Sequence, residues 1–308
     1  MPEKPFLDVK KILAKAKKLT KRGHIAEAVG CYIDILKYHP HHAQAQKCLK
    51  KLQKLPPPGP KANKGIMNPD QNQINRLLQF YTAGKFEDAE SYCKDLLGSY
   101  PGSIIVINIY GAALMALGRL NKALDLFDQA IRLKPDYADA HINRGNALKM
   151  MNRLKAAFEC YSRAIQLNPG LAQAYYNRSL VLKELNQIEA AFTDCKMALK
   201  LNPDYTQAYF HLGTLQLDSN QNDEAVKSFD SAIRIKPDFA EAYFNRANGR
   251  HKTGRLQEAL IDYEKSIHFK ANFPEAYVNR GNLLKSMGRL EDSIASYKKA
   301  IQANPSYI

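Results

Sequence analysis

The sequence predicts an all-α chain in which one 34-residue helix–turn–helix unit is stacked on copies of itself. Three observations predict it. Pro135, Pro169, Pro203 and Pro237 superimpose when the sequence is slid by 34, with Pro101 upstream and Pro305 downstream. The fifteenth residue of each unit is Gly84, Gly118, Asn152, Asn186, Asn220, Gly254 or Gly288, residue types that enter the left-handed backbone region cheaply and so end a helix. Small residues recur at two further positions, and a bulky one recurs at a third.

Seven copies tile residues 70–103, 104–137, 138–171, 172–205, 206–239, 240–273 and 274–307 without a gap. Helical apolar spacing on both sides of the fifteenth residue gives each copy a first and a second helix. The eighth residue is small in Gly111, Gly145, Ser179, Gly213, Ala247 and Gly281, and so is the twentieth, from Ala89 to Ser293. Small residues at facing positions let the paired helices approach closely. The twenty-fourth residue, Phe127, Tyr161, Cys195, Phe229, Tyr263 or Tyr297, fills the space beside them. The proline then stops the second helix, because it lacks an amide hydrogen and crowds the preceding turn.

The stretch LKPDYADAHINRGNALKMMNRLKAAFECYSRAI resembles the tetratricopeptide-repeat consensus nearly throughout, with His141 where an aromatic is usual. Local departures are Ala271 for proline, with Pro274 three residues later, and Leu77 and Cys93 in the first copy where a small residue and an aromatic belong. The resemblance implies a right-handed superhelix whose first helices line a concave groove. By resemblance, Ile142, Asn146 and Lys149, then Tyr176 and Lys183, Phe210 and Asp218 face that groove. Phe244, Asn248, His251 and Lys252, then Asn282 and Lys285, complete it. Apolar groups, amides and lysines in this mixture suit an extended peptide, with the lysines selecting acidic residues. Asn143, Asn177, Asn245 and Asn279 recur at the sixth position, and Asn146, Asn248 and Asn282 at the ninth. A row of amides can pair with any peptide backbone, since each donates and accepts. This row is similar to that of O-GlcNAc transferases; the same asparagines also suit packing between repeats. The lysine of the co-chaperone carboxylate clamp is not matched, for Ile142, Tyr176, Phe210, Phe244 and Val278 stand at its position.

Residues 1–55 read as a degenerate, basic copy over 9–42 (Gly23 at the turn, Ala28 small, Tyr32 aromatic, Pro40 at the end), followed by a capping helix with Leu49, Leu52 and Leu55. Residues 56–69 form a linker that opens with PPPGPKANKG, semi-rigid and solvated at that proline and glycine density. Of the formal charge of +15, most lies before residue 66, where 15 Lys/Arg meet 4 Asp/Glu. Such a lysine face can meet nucleic acid, an acidic membrane surface or an acidic protein, or simply be solvated. No aromatics interleave with the lysines and no reading motif appears, which argues against nucleic acid.

Other classes are excluded more directly. The N-terminus has no signal-peptide pattern. The most apolar run, Ser103 to Gly118, falls short of the roughly 20 residues a membrane span needs. The five cysteines, Cys31, Cys48, Cys93, Cys160 and Cys195, show no metal or redox spacing and suit a reducing, cytoplasmic setting. The cluster of His39, His41 and His42 lacks the further ligands of a dedicated metal site. No phosphate loop, nucleophile elbow or paired histidines are present, so neither an enzyme nor a bound cofactor is expected.

The expected function is a scaffold that binds peptide or protein segments in the groove. A second expectation is the substrate-recognition arm of a larger transferase, since the layout resembles the N-terminal half of bacterial repeat proteins that continue into a sulfotransferase or glycosyltransferase domain. A third is nucleic-acid or membrane-surface binding by the basic unit. Two apolar features are also expected to be sticky. Ile104-Ile105-Val106-Ile107 offers a patch for the 56–65 linker or a partner. The last repeat is expected to expose Leu283, Ile294 and Ile301, inviting self-association.

Overall fold

A computed structural model describes residues 9–21, 31–33, 35–36, 42–53 and 68–305. The chain divides into two compact units, residues 1–67 and 68–308. In the first, helices α1 (Val9–Lys21) and α2 (Ala43–Gln53) are described. Leu13, Ala16, Tyr32, Ile35 and Ala45 form its core, with Cys48 and Leu49 of α2 packed alongside. Lys15, Lys17, Lys18, Lys47, Lys50 and Lys51 are exposed. The proposed turn at Gly23, the small residue Ala28, Pro40 and the linker 56–67 lie outside the described residues. So do His39 and His41, while His42 Nδ1 accepts from the Ala45 amide at the start of α2 (3.2 Å).

The second unit is an uninterrupted run of helix pairs: α3 (Gln71–Thr82) with α4 (Phe86–Ser99), α5 (Ile104–Ala116) with α6 (Leu120–Leu133), and α7 (Ala138–Met150) with α8 (Leu154–Leu167). Then come α9 (Ala172–Glu184) with α10 (Ile188–Leu201), and α11 (Thr206–Asp218) with α12 (Asn222–Ile235). The last pairs are α13 (Ala240–Lys252) with α14 (Leu256–Phe269), and α15 (Pro274–Ser286) with α16 (Leu290–Ala303). Each pair is one sequence repeat. The fifteenth residue has positive φ in all seven, from 56° at Asn152 to 77° at Gly254. It closes a Schellman turn: in the third repeat the Asn152 amide donates to the Lys149 carbonyl and the Arg153 amide to the Leu148 carbonyl, which satisfies two helix-end acceptors. Where Ala271 replaces the proline, Pro274 takes the first position of α15, where no amide hydrogen is needed, and the register holds.

The eighth and twenty-fourth residues are matched as a pair. A Cβ on Gly145 would stand 2.6 Å from the Tyr161 ring, and Gly111, Gly213 and Gly281 lie equally close to Phe127, Phe229 and Tyr297. Where the eighth residue is larger, the twenty-fourth is smaller in two repeats: Leu77 faces Cys93, and Ser179 faces Cys195, all four buried. The departures noted in the first copy therefore compensate each other. Ala247 beside Tyr263 shows that one methyl is tolerated at this contact.

Every first helix packs on its own second helix and, from the second repeat on, on the second helix of the preceding repeat. Consecutive first helices also touch each other, whereas second helices of neighbouring repeats make no comparable contact. The first helices are thus the closer-packed row and the second helices the splayed one, which makes the first-helix side concave. At the end of the array Leu290, Ile294 and Ile301 are exposed, but Leu283 is buried, contrary to expectation. Its position on α15 faces back onto Leu260 and Tyr263 of the preceding repeat. Ile105 is 40% exposed, while Ile104, Val106 and Ile107 are buried.

Candidate functional site

The concave side carries the asparagines, and their bonds follow a rule. A ninth-position Asn occurs where the twenty-fourth residue is Tyr, and nowhere else in the seven repeats. The tyrosine hydroxyl donates to its Oδ1: Tyr161 to Asn146 (2.8 Å), Tyr263 to Asn248 (2.7 Å) and Tyr297 to Asn282 (2.7 Å). Burial raises the pKa of Tyr161 and Tyr263, so these hydroxyls keep their protons. The same oxygen then receives the next repeat's sixth-position amide, Asn177 Nδ2 on Asn146 (2.9 Å) and Asn279 Nδ2 on Asn248 (3.0 Å). Asn143 reaches back in the same way to Asn108 (3.1 Å), and His211 to Ser179 Oγ (3.0 Å).

The amide row is therefore not a set of free peptide hooks. Asn143, Asn177 and Asn279 each spend one N–H on the preceding repeat, and Asn177 is buried outright. Asn146, Asn248 and Asn282 spend their oxygens inside and keep their NH₂ groups. Asn245 stands apart. The ninth residue of the preceding repeat is Thr214, whose hydroxyl donates to the carbonyl of His211 (2.7 Å), and Asn245 makes no side-chain hydrogen bond among the described residues.

The aromatics expected on the groove surface are half-buried in ring contacts. Tyr176 lies 4.9 Å from Tyr205, Phe210 4.9 Å from Phe239 and Phe244 4.9 Å from Phe273, centroid to centroid. Ile142 is buried. Fifth-position side chains therefore pack against the end of their own repeat as much as they line a surface. Of the cations, Lys183 pairs with Asp218 (2.8 Å), while Lys149, Lys252 and Lys285 make no ion pair.

One cavity of 410 Å³ opens on this side, bounded by α11, α13 and α15. Asn245, Asn248, Asn279 and Asn282 line it together with His251, Lys252, Tyr263, Leu217 and Asp218. Seven of the expected groove residues thus converge: Asp218, Asn245, Asn248, His251, Lys252, Asn279 and Asn282. Asn143, Asn146, Lys149, Tyr176, Asn177, Lys183, Phe210, Phe244 and Lys285 lie outside this cavity.

A second network was not anticipated. Four seventh-position arginines each bridge two repeats. Arg144 donates to Asp128 (2.7 Å) and Cys160 (3.0 Å), and Arg178 to Ser162 (3.0 Å) and Asp194 (2.6 and 2.8 Å). Arg246 donates to Asp230 (2.5 Å) and Asp262 (2.5 and 2.8 Å), and Arg280 to Glu264 (2.9 Å) and Ser296 (2.7 Å). The signal was present: partners stand 16 residues before and after each arginine. Repeats 104–137 and 206–239 lack the arginine, having Tyr110 and Leu212 at the position.

Burial pushes the Cys93 and Cys195 thiols up to about 12, which keeps them protonated and unreactive. Among the described residues no cluster of His, Cys, Asp or Glu could hold a metal, and no helix is long and apolar enough to cross a membrane.

Helix pairs at a constant 34-residue period, joined through their first helices around a lined concave side, define a helical-repeat protein. Sequence models of the tetratricopeptide repeat match residues 138–171, 172–205 and 274–307, and a further TPR model matches 111–152 and 215–254. Together they cover more than half of the chain, which belongs to the tetratricopeptide-repeat family. No curated protein sequence matches it. Among solved structures, the Cut9–Hcn1 assembly of the APC/C superimposes with a TM-score of 0.64 at 14% identity, over 96% of this chain and 53% of that one. A tetratricopeptide repeat protein from Parabacteroides merdae gives 0.56 at 21%, over 77% and 93%. YrrB, described as a TPR protein with an unusual peptide-binding site, gives 0.51 at 24%, over 59% and 93%. These likenesses establish the fold. None of the three is described as a transferase, and the likeness to O-GlcNAc transferases rests on the asparagine row alone.

Proposed function

We propose that this chain is a non-catalytic scaffold that holds an extended peptide or protein segment along the concave side of the array, with residues 1–55 and 70–307 as separate modules on either side of the 56–69 linker. The observation that carries the reading is the set of unspent polar groups on that side. The NH₂ groups of Asn146, Asn248 and Asn282 and the whole amide of Asn245 have no partner among the described residues. Half-buried or exposed amides held at fixed angles by internal bonds are pre-organised for a peptide backbone, which lowers the ordering cost of binding. YrrB, with its described peptide-binding site, is a relative in fold that fits this reading.

The test is amide hydrogen exchange on the full chain, with and without a peptide selected from a random library. Slowed exchange in the first helices α7, α9, α11, α13 and α15, with second helices unchanged, is the expected result. Slowing confined to second helices or to residues 9–53 would exclude the groove.

A further inference from the structure

The cavity between α11, α13 and α15 is polarised, and the polarisation names a ligand chemistry. We infer that it seats a side-chain carboxylate, an Asp or Glu of an extended segment, at Lys252 and His251, while the neighbouring amides hold the adjoining peptide bond. This inference rests on the groove reading and deepens it.

The argument is an inventory of unspent groups. Asn248 Oδ1 already accepts from Tyr263 and Asn279, so only its NH₂ remains to face a ligand. Asn282 Oδ1 accepts from Tyr297 alone, which leaves its NH₂ and one acceptor site. Asn279 has given one N–H to Asn248 and retains the other together with its oxygen, and Asn245 retains its whole amide. Donors therefore outnumber acceptors on the walls. The charges agree. Lys252 is exposed without an ion pair, and His251 is half-buried beside it on α13. The cavity's single carboxylate, Asp218, is turned to Lys183 at 2.8 Å and so is already compensated. A wall of NH₂ donors with an uncompensated cation favours an acceptor-rich anion over a neutral or basic side chain.

Asn245 owes its freedom to the sequence of the preceding repeat. At the other asparagine junctions the sixth-position amide is consumed by a neighbour; here Thr214 has replaced the receiving asparagine. The one unconsumed amide of its row thus lies in the cavity that also holds Lys252.

A random peptide library displayed on phage and panned against the full chain tests the inference. Peptides enriched in Asp and Glu over the input are expected, and a Lys252→Glu variant should bind them about tenfold more weakly. Lys252 is exposed, so this variant keeps its fold. A paired Asn248→Ala, Asn282→Ala variant should also lose them. Enriched peptides without acidic bias that still slow exchange in α11, α13 and α15 would overturn the carboxylate seat and leave the groove reading standing. Acidic peptides held equally by Lys252→Glu would overturn the seat as well. Enrichment of no peptide, or of peptides that slow exchange only in residues 9–53, would overturn both.

Discussion

The junction between repeats 138–171 and 172–205 and the one between 206–239 and 240–273 join the same helices at the same spacing, yet settle their polar groups differently. In the first, Tyr161 carries a hydroxyl, Asn146 receives it, and Asn177 completes the same oxygen from across the junction. In the second, Phe229 has no hydroxyl to place, Thr214 stands where the asparagine was, and Asn245 is left without a partner. The apolar contact is unchanged: Gly145 under Tyr161 and Gly213 under Phe229 are equally close. Ring packing therefore sets the pitch of the array, and the amide bridge is an addition that one repeat can drop. Dropping it converts a packing amide into a free one.

The arginine bridge is the strongest polar tie at the second junction, so removing it should have the largest effect. Asp262 is buried and accepts from both Arg246 and Arg250. Arg246→Met would leave that carboxylate with one cation and orphan Asp230, at a cost of about 3 kcal/mol. Urea denaturation should show an early loss of repeats 206–273, since repeat arrays unfold by neighbouring units. An unchanged midpoint would mean that the bridge is a surface ion pair in effect.

His211 is the next test, because it takes the place of the sixth-position asparagine at a third junction. Burial, with Lys183 and Lys149 nearby, lowers its pKa to about 4, against the opposing pull of Ser179 and Asp218. An unfolded histidine titrates near 6.5, so below that pH the unfolded chain binds a proton that the folded chain refuses. The contribution to stability is present above about pH 6.5 and is lost as the pH falls toward about 4, up to roughly 3 kcal/mol. His211→Asn, which copies the sibling repeats, should flatten that part of the stability–pH curve. A curve of the same slope in the variant would place the titration elsewhere.

The matched pair in the core gives a third test. Gly145→Leu should cost about 2 kcal/mol by overpacking against Tyr161. Adding Tyr161→Cys, which reproduces Leu77 over Cys93 of the first repeat, should recover part of that loss. A double variant less stable than Gly145→Leu alone would show that the two positions are not coupled by volume.

Helix limits, turns and the repeat register were legible in the sequence because each rests on a local rule acting at a fixed period: αL residues at the turn, proline after the second helix, glycine beneath a ring. The groove was legible only as a face. That Asn146 and Asn248 have their oxygens turned inward follows from tyrosines fifteen residues later, and that Asn177 is consumed follows from an asparagine 31 residues earlier. Both couplings are visible as pairings once the helices are placed, but a position-by-position reading treats each amide alone. The arginine bridges were missed for the same reason. Leu283 was misplaced because a helix position faces backward or forward along the stack, which apolar periodicity does not distinguish.

The smallest effect separates the two kinds of asparagine most cleanly. Asn279→Ala removes the donor to Asn248 across the last junction and should cost about 1 kcal/mol, the net worth of one partly buried hydrogen bond. Asn245→Ala removes an amide with no partner, so its stability should shift by less than about 0.5 kcal/mol. In peptide binding the order reverses. Asn245 offers its whole amide to the cavity, Asn279 an oxygen and one N–H, so the Asn245 variant should bind a selected peptide more weakly than the Asn279 variant. Thermal melts and binding isotherms on the same two proteins decide it. If both rankings run in the same direction, Asn245 is held by the fold after all, and freedom from packing is not what places it at the cavity wall.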